Sequence, residues 1–350
     1  MITSITSHPL DDPELFEEYL ALVGDGDEDA AVAIAVALLD DGVPAQRIMV
    51  ELIGGTQARV GELWAGNDWS IAREHAATAV NERVLAAVAG RLRVSPSRGR
   101  ITLACVDGEW HSLPARILAE TLRLDGWRVD YLGASVPGRH LITHLHQTGP
   151  DAVALSCMIP TRLPRAHAAI TACRAAGVPV IAGGRGFGPG SRYAERLGAD
   201  AWASTAAEAV DRLASRWPPP PAPEFPGSPV RDYLAGEEYT HLVRSRAQLI
   251  ATAMQRLADG YPPARDYDEY QRESTAEDFG HLADFLAASL YIGEPQVFLD
   301  FTHWTAAVLT ARQVPISAFR GGLHLIRDQL VDFPTATSTI DQALANLPTP

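Results

Sequence analysis

Residues 101–111 of the chain read ITLACVDGEWH, and this stretch decides the fold around it. The first six residues form a continuous apolar run that is typical of a buried strand, and a helical pattern begins at Ser112. In an α/β sheet, ligands bind outside the carboxyl ends of the strands, so Glu109-Trp110-His111 lies at a binding crevice. An imidazole there can ligate a metal, and a carboxylate two residues earlier can orient it. The alternative interpretation is an ordinary surface loop.

The strand at 101–106 is the first of five repeating units between residues 99 and 216. Helix-like stretches separate it from four more apolar runs, at 128–132, 152–156, 179–182 and 200–203. Five βα units predict a parallel sheet with right-handed crossovers. The apolar runs are continuous rather than alternating, as strands require when helices cover both faces of a sheet.

Helical periodicity dominates before this α/β region. Residues 13–94 place apolar side chains three and four residues apart, which predicts a bundle of about four helices over residues 10–95. Asp11-Asp12-Pro13 is a candidate helix start, and breaks are expected at Gly42-Val43-Pro44 and Gly66-Asn67-Asp68.

After the α/β region, seven prolines between residues 218 and 229 predict an extended linker over 217–230. Residues 231–334 then predict only helices, and the segment from Pro334 to Pro350 is expected to be a loosely packed tail. The predicted helices of this region cover residues 231–259, 266–292, 295–311 and 315–332.

Composition excludes several classes of function. The chain has 350 residues with a formal net charge of −14 and no cluster of cations, so direct binding to nucleic acid is not expected. It contains no lysine, which excludes Schiff-base and P-loop lysine chemistry. No apolar run is long enough to span a bilayer, the N-terminus has no secretory signal pattern, and the three cysteines form no C-x-x-C pair. A cytoplasmic location without membrane contact is expected.

The chemistry-bearing residues of the α/β region resemble the cobalamin-binding signature of flavodoxin-like B12 domains. The signature comprises Glu109-Trp110-His111, Ser156-x-Met158 and Gly183-Gly184. The resemblance implies that His111 is the lower axial ligand of cobalt, in place of the base of the cofactor's nucleotide tail. It also implies that Ser156 and the two glycines bind that tail beside the sheet, at the topological switch point of a 2-1-3-4-5 strand order. The family usually has glycine where this chain has Pro114.

A second match lies in the helical bundle. Trp64, nine further residues and then Glu74-His75 resemble the W-x9-E-H motif of adenosylcobalamin photoreceptors of the CarH/LitR type. The resemblance implies that Trp64 and Ile71 pack against the adenosyl group and that Glu74 hydrogen-bonds it. Some of these photoreceptors carry a histidine after the tryptophan that binds cobalt after illumination; here that residue is Ala65. His75 is therefore our candidate for the upper ligand after photolysis.

The C-terminal helices resemble globin-like sensor domains, and the complete arrangement resembles the photocobilins, which bind cobalamin and a bilin. The resemblance implies a non-covalent biliverdin or related bilin, because no cysteine lies beyond Cys173. A tetrapyrrole needs aromatic walls, cations for its propionates and polar groups for its nitrogens. The candidates are Tyr291, Phe298, Trp304 and Phe319 as walls, Arg312 and Arg320 as cations, and His281, His303 and Asp300 as polar groups. The alternative is a helical dimerisation domain.

These resemblances predict a light sensor rather than an enzyme, a homo-oligomer that signals to a separate partner protein. The DNA-binding domain that usually precedes the bundle in the CarH type is not expected here, because the bundle pattern begins near residue 10. The alternative is a corrinoid shuttle protein of a methyltransferase system, which shares the plan of a bundle followed by a B12 domain. A nucleotide-dependent oxidoreductase has little support, because no G-x-G-x-x-G follows the first strand.

Overall fold

The computed structural model of the protein describes residues 10, 12–215, 217 and 237–348. The predicted linker at 217–230 lies outside these residues except for Trp217, as do residues 231–236. From Pro13 to Arg91 the chain is helical, with a π-helical stretch at Ile48–Ile53 between the third and fourth α-helices. The helices of this part are α1 (Pro13–Asp25), α2 (Glu28–Asp40), α3 (Ala45–Arg47), α4 (Gly54–Ala65) and α5 (Ile71–Arg91).

The break between α4 and α5 positions the residues of the W-x9-E-H motif. Helix α4 ends at Ala65, and Asn67 in the connection has a φ of 65°. Ser70 caps α5, because its side chain accepts a hydrogen bond of 3.2 Å from the amide of Arg73. Trp64 therefore lies in the last turn of one helix, and Ile71 and Glu74 in the first turn of the next.

Five parallel strands form one sheet in the order β2-β1-β3-β4-β5, which confirms the predicted topology. The register places Cys105, Ser156, Gly183 and Ala203 side by side in one row at the carboxyl ends of four strands. The strands are β1 (Arg100–Val106), β2 (Arg128–Val136), β3 (Ala152–Ser156), β4 (Val180–Gly183) and β5 (Ala201–Ala203).

Helices cover both faces of this sheet, as the apolar strands predict. Helices α6 (Leu113–Leu124) and α10 (Ala206–Ala214) pack on one face, and α7 (Gly138–Thr148) and α8 (Leu163–Ala175) on the other. A short helix, α9 (Arg192–Arg196), precedes β5. Leu113 and Ile117 of α6 belong to the core of the N-terminal bundle, so the bundle rests on the first βα connection. That connection carries the predicted site.

The C-terminal region is all-helical, as predicted. Its helices are α11 (Glu237–Gly260), α12 (Glu269–Ile292), α13 (Gln296–Ala311), α14 (Ile316–Arg327) and α15 (Pro334–Asn346). The prediction of a loose tail after residue 334 is wrong, because Pro334 opens α15 and Ala336, Ile340 and Ala343 are buried on one face of it. Among the described residues, no helix is long and apolar enough to cross a membrane.

The C-terminal helices dock on the sheet domain through α12. Tyr291 and Ile292 are buried in the same core as the α7–α8 face of the sheet. The guanidinium of Arg196 lies 2.6 Å from the carboxylate of Glu294 and donates to the carbonyl of Ile292 at 2.7 Å. The hydroxyl of Tyr291 shares a 2.7 Å hydrogen bond with Nδ1 of His167 on α8. This docking brings a polar pair into an apolar interface.

Acid should loosen this docking. Burial lowers the pKa of His167 in the folded chain, whereas the pKa of an exposed imidazole is about 6.5. Between the two pKa values the exposed state binds more protons, so the stability of the docked state falls as the pH drops below about 6.5. Hydrogen exchange of the amides at 288–292 should therefore accelerate at pH 5.5 relative to the intrinsic rate. His167→Gln should remove this pH dependence, and His146→Gln, at an exposed position of α7, should retain it. An unchanged pH dependence in His167→Gln would contradict the assignment.

Candidate functional site

The loop at residues 107–112 leaves the carboxyl end of β1 at the topological switch point and is fixed by hydrogen bonds to its own strand and to β2. The amide of Glu109 donates to the carbonyl of Val106 at 2.8 Å, and the amide of Ser135 on β2 donates to the carbonyl of Glu109 at 2.8 Å. The hydroxyl of Ser135 accepts from the amide of Gly108 at 3.0 Å. The hydroxyl of Tyr131, also on β2, donates to the carbonyl of Ser112 at 3.1 Å. The neighbouring strand therefore holds both ends of the loop.

The carboxylate of Glu109 is the centre of the site. The residue is 1% exposed, and its Oε1 accepts from the amide of His111 at 3.0 Å and from Nδ1 of the same ring at 2.6 Å. Its Oε2 accepts from the amides of Met158 and Ile159, after β3, at 2.7 and 3.1 Å. Burial raises the pKa of Glu109, but the hydrogen bonds from His111 and Met158 outweigh burial and leave that pKa below its usual value. One charged group therefore ties the β1 and β3 loops together.

This carboxylate fixes the orientation of the His111 ring. Because Nδ1 donates to Glu109, Nε2 is left to face outward, and the His111 side chain is 57% exposed. The hydrogen bond to Glu109 raises the pKa of His111, burial lowers it, and the charges of Glu109 and Glu74 raise it further, so the pKa lies above its usual value. The ring is thus oriented by a buried carboxylate, and its Nε2 can donate a lone pair to a metal.

The predicted tail-binding residues lie in the strand-end row beside this loop. Ser156 is 8% exposed, and among the described residues its hydroxyl makes no hydrogen bond. Gly184 has a φ of 99°, and a Cβ on it would lie 2.3 Å from the carbonyl oxygen of Cys157. A Cβ on Gly183 would lie 3.0 Å from the carbonyl oxygen of Ala203. The chain's own packing therefore requires glycine at position 184, and position 183 leaves little room for a side chain.

Helix α5 of the bundle faces His111. The hydroxyl of Ser112 donates to Glu82 of α5 at 3.2 Å, and the charge of Glu74, in the first turn of α5, is felt by the His111 ring. Two large apolar side chains next to these groups are exposed to solvent, Trp110 at 73% and Ile71 at 56%. Exposed apolar surface beside a free imidazole indicates a place for an apolar ligand.

Glu74 and His75 contact each other rather than distant groups. Nδ1 of His75 is hydrogen-bonded to the Glu74 carboxylate, which also accepts from the hydroxyl of Thr78 at 3.1 Å. The His75 side chain is 72% exposed. The Nε2 atom of His75 thus remains free, and its role as a later cobalt ligand stays a prediction.

Trp64 is contacted by the C-terminal helices. Its ring stacks on that of Trp304 with centroids 5.9 Å apart, and the guanidinium of Arg312 lies 5.2 Å from the Trp64 centroid. Arg312 also donates to the carbonyls of Trp64 and Ala65 at 3.0 and 3.2 Å. Sequence reasoning assigned Trp304 and Arg312 to a bilin, whereas in the structure both contact the bundle.

The remaining bilin candidates do not come together in one site. Tyr291 is 5% exposed and bonded to His167, and Arg320 donates to the carbonyls of Leu344 and Leu347 at the end of α15. The remaining candidates are Phe298 and Phe319, both in the C-terminal core, and His281, His303 and Asp300, all exposed.

Sequence reasoning missed Ser135 and Tyr131, which hold the site loop from β2. Little in the sequence indicated either residue beyond their being polar residues in the strand that neighbours β1. Ser135 has a φ of 48°, which cannot be predicted from its being a serine. The backbone of Ile159 was also missed, because an amide leaves no mark in a sequence motif.

The arrangement suits one axial bond to a metal that a planar macrocycle already holds. Among the described residues, no group of three or more His, Cys, Asp or Glu side chains comes together for a bare ion. A single imidazole, oriented by a buried carboxylate and flanked by exposed apolar side chains, fits a corrinoid cobalt. Fold and site together define a corrinoid-binding class of protein: a helical bundle resting on a doubly wound sheet.

Comparison with known families supports this class. The family described as B12 binding domain matches residues 99–214, and a second family of the same description matches residues 15–89. The chain belongs to the B12-binding protein family. The predicted bundle and α/β cobalamin module are thereby confirmed at the level of the family.

Individual relatives divide between regulators and corrinoid carriers. The HTH-type transcriptional repressor CarA of Myxococcus xanthus is 34% identical over 54% of this chain and 68% of its own length. A corrinoid protein of Desulfitobacterium hafniense is 24% identical over 56% of this chain and 94% of its own length. The solved monomethylamine corrinoid protein of Methanosarcina barkeri is 17% identical, covers 57% of this chain and 97% of its own, and has a TM-score of 0.51, a likeness of fold alone.

Glu109→Gln should destabilise the chain by about 2 kcal/mol or more, because a carboxamide removes the charge and turns an N–H toward donors. The measurement is urea unfolding followed by circular dichroism. The matched control is Glu82→Gln, an exposed carboxylate bonded to the same loop, which should change stability by no more than about 0.5 kcal/mol. Equal effects of the two substitutions would contradict the central role of Glu109.

Gly184→Ala should cost about 3 kcal/mol or more, because the new methyl group meets the carbonyl oxygen of Cys157 and the φ of 99° strains any L-residue. Gly190→Ala is the control in the same stretch of chain, since nothing lies within 4 Å of the place that its methyl group would take and its φ is not left-handed. Thermal unfolding of the cofactor-free variants measures the difference. A Gly184→Ala protein as stable as Gly190→Ala would show that the strand-end backbone is adaptable.

Proposed function

We propose that the chain is a light-responsive sensor that binds adenosylcobalamin, with Nε2 of His111 as the lower axial ligand. The observation that carries the cofactor assignment is the Glu109–His111 hydrogen bond of 2.6 Å, which occupies Nδ1 and leaves Nε2 of a half-exposed ring for cobalt. The similarity to CarA, whose name describes a transcriptional repressor, favours regulation over catalysis. When bound, adenosylcobalamin supplies a weak cobalt–carbon bond that light breaks.

Glu109 has two tasks at the lower face. It keeps the proton of the neutral imidazole on Nδ1, which reserves the lone pair of Nε2 for cobalt. It also carries a charge that strengthens the donor, and its bonds to Met158 and Ile159 prevent the ring from turning with the loop. Ser156, with an unused hydroxyl at the strand-end row, is the group that binds the displaced nucleotide tail.

Pro114 does not obstruct this arrangement. It lies in the first turn of α6, where the amide that proline lacks would have no partner inside the helix. The departure from the family's usual glycine therefore leaves the helix intact.

The helical bundle supplies the groups that would contact the upper face of the cofactor. Ile71 offers exposed apolar surface, Trp64 offers the part of its ring that Trp304 and Arg312 leave uncovered, and the Glu74 carboxylate offers acceptors to the hydroxyls of a ribose. These groups come from two helices separated by a break, so they would hold an upper ligand jointly, and without that ligand the two helices would lack this shared contact. The bundle is then free to shift relative to the sheet, and this shift is the signal in our proposal.

The second candidate function is a corrinoid shuttle protein of a methyltransferase system. The similarity to corrinoid proteins favours it, because such relatives match over most of their own length. A shuttle needs an upper face that is open to a partner enzyme, whereas Trp64 is here covered by Trp304 and Arg312. That covering favours the sensor.

Other parts of the proposal rest on resemblance alone. Biliverdin or a related bilin is a chromophore that the arrangement of domains suggests and that the contacts of Tyr291 and Arg320 do not favour. We also propose a cytoplasmic homo-oligomer that signals to a separate protein without contacting nucleic acid itself, in keeping with the net charge of −14.

His111→Ala should raise the Kd for adenosylcobalamin at least about tenfold and abolish the absorbance spectrum of the histidine-bound, base-off cofactor. Titration of the purified chain with adenosylcobalamin in the dark, followed by absorbance, measures both. His146→Ala, which removes an exposed imidazole of α7, should bind as the parent does. A base-off spectrum that persists in His111→Ala would contradict the assigned ligand.

The same titrated samples separate the two candidate functions. For a sensor, green light should change the spectrum and the hydrodynamic radius of the loaded parent chain. For a shuttle, light should leave the radius unchanged, and the chain should instead accept a methyl group in the dark from a methyltransferase and its donor.

A further inference from the structure

The end of helix α4 is held by a residue that lies 247 positions later in the chain. Arg312 follows α13 and donates through its guanidinium to the carbonyls of Trp64 and Ala65, at 3.0 and 3.2 Å. Carbonyls in the last turn of a helix have no partner within the helix, and a cation there also meets the negative end of the helix dipole. Arg312 therefore caps α4 from outside the bundle.

A row of aromatic rings supports the same contact. Phe285 of α12 stacks on Phe301 with centroids 3.8 Å apart, Phe301 lies 6.4 Å from Trp304, and Trp304 lies 5.9 Å from Trp64. Phe301 is 9% exposed and belongs to the C-terminal core, whereas Trp304 is 45% exposed at its edge. The row thus connects the C-terminal core to a single side chain of the bundle.

The connection after α4 holds only the backbone of Trp64: the amide of Asn67 donates to the Trp64 carbonyl at 3.1 Å, and the amides of Asp68 and Trp69 donate to the Leu63 carbonyl at 2.9 and 3.1 Å. The chain breaks directly after Trp64, and the connection passes through Asn67 in a left-handed conformation before α5 begins. The side chain of Trp64 remains partly exposed even with the Trp304 ring and the Arg312 guanidinium against it. Its position consequently depends on groups supplied by α13 and the residue after it.

We propose that Trp304 and Arg312 are positioning residues for Trp64, through which the C-terminal helices set the upper wall of the cobalamin site. This inference rests on the proposed function, since the wall matters only if a corrinoid lies beneath it. Coupling of this kind is reciprocal: if the C-terminal helices bias the site toward the adenosyl ligand, the ligand biases the docking of those helices equally. The C-terminal region is therefore the part that senses which upper ligand is present.

A purely structural role for the contact makes a different prediction. If Trp304 and Arg312 only attach the C-terminal helices to the bundle, replacing them weakens the attachment but changes the affinity for every cobalamin by the same factor. A positioning role changes the preference for a bulky upper ligand over a small one. The ratio of two dissociation constants separates these roles.

The experiment uses the full chain with Arg312→Gln, Arg312→Lys and Trp304→Phe. Arg327→Gln is the control, because Arg327 forms an ion pair with Asp341 within the C-terminal region and does not contact the bundle. The first measurement needs no cofactor: hydrogen exchange of the amides at 62–70 should accelerate in Arg312→Gln and not in the control. In Trp304→Phe, the exciton signal of the paired indoles should disappear from the circular dichroism spectrum.

The second measurement is the ratio of the dissociation constants for adenosylcobalamin and hydroxocobalamin, determined in the dark. Arg312→Gln should reduce the preference for adenosylcobalamin by about fivefold or more, which is the range of measured couplings between sites. Arg312→Lys should fall between the parent and Arg312→Gln, because lysine retains the charge without the planar fork that reaches two carbonyls.

An unchanged ratio in Arg312→Gln and Trp304→Phe, with the parent binding both cobalamins, would overturn the positioning role and leave the proposed function intact. Unchanged hydrogen exchange at 62–70 would overturn it as well, because Arg312 would then not hold the end of α4. A parent chain that binds neither cobalamin would remove the proposed function and this inference together.

Discussion

Four N–H groups converge on the buried carboxylate of Glu109, and the candidate site depends on this convergence. A carboxylate without partners in such a position would be costly to bury, so the loops after β1 and β3 must both adopt the conformations that supply its donors. The charge of Glu109 therefore fixes the backbone of both loops as well as the orientation of the His111 ring. A neutral side chain of similar size would leave the two loops independent and the imidazole free to rotate.

The strand order makes that convergence possible. Because β1 lies between β2 and β3, the loop that follows β1 has a strand end on either side: Ser135 binds it from β2, and the amides after β3 bind it from the other side. The chain leaves β1 and β3 toward opposite faces, which opens the crevice where ligands of such sheets bind. The site is thus a consequence of topology, with the specific side chains added to a crevice that the fold provides.

The sequence was sufficient for the parts of the fold that rest on local pattern. The strand at 101–106, the break at Gly66-Asn67-Asp68 and the Glu109–His111 pair all follow from periodicity, turn residues or spacing. It was insufficient where long-range packing decides. Helix α15 was predicted as a loosely packed tail, as chain termini commonly are, whereas its burial depends on packing in the C-terminal core. Trp304 and Arg312 carry no local signal that they contact a helix 240 positions earlier in the chain.

A sensor needs a contact that is specific and can still be broken, and the two sides of this bundle differ in that respect. On the α6 side, Leu113 and Ile117 enter the bundle core, and such burial is too favourable to reverse for a small change in ligand. On the α13 side, the contact consists of one ring stack and one guanidinium at a partly exposed edge. Interactions of that kind contribute about 1 kcal/mol each, so the loss of a few ligand contacts beneath Trp64 is comparable with the energy that holds it. The bundle should therefore pivot on α6 and separate first from the C-terminal helices.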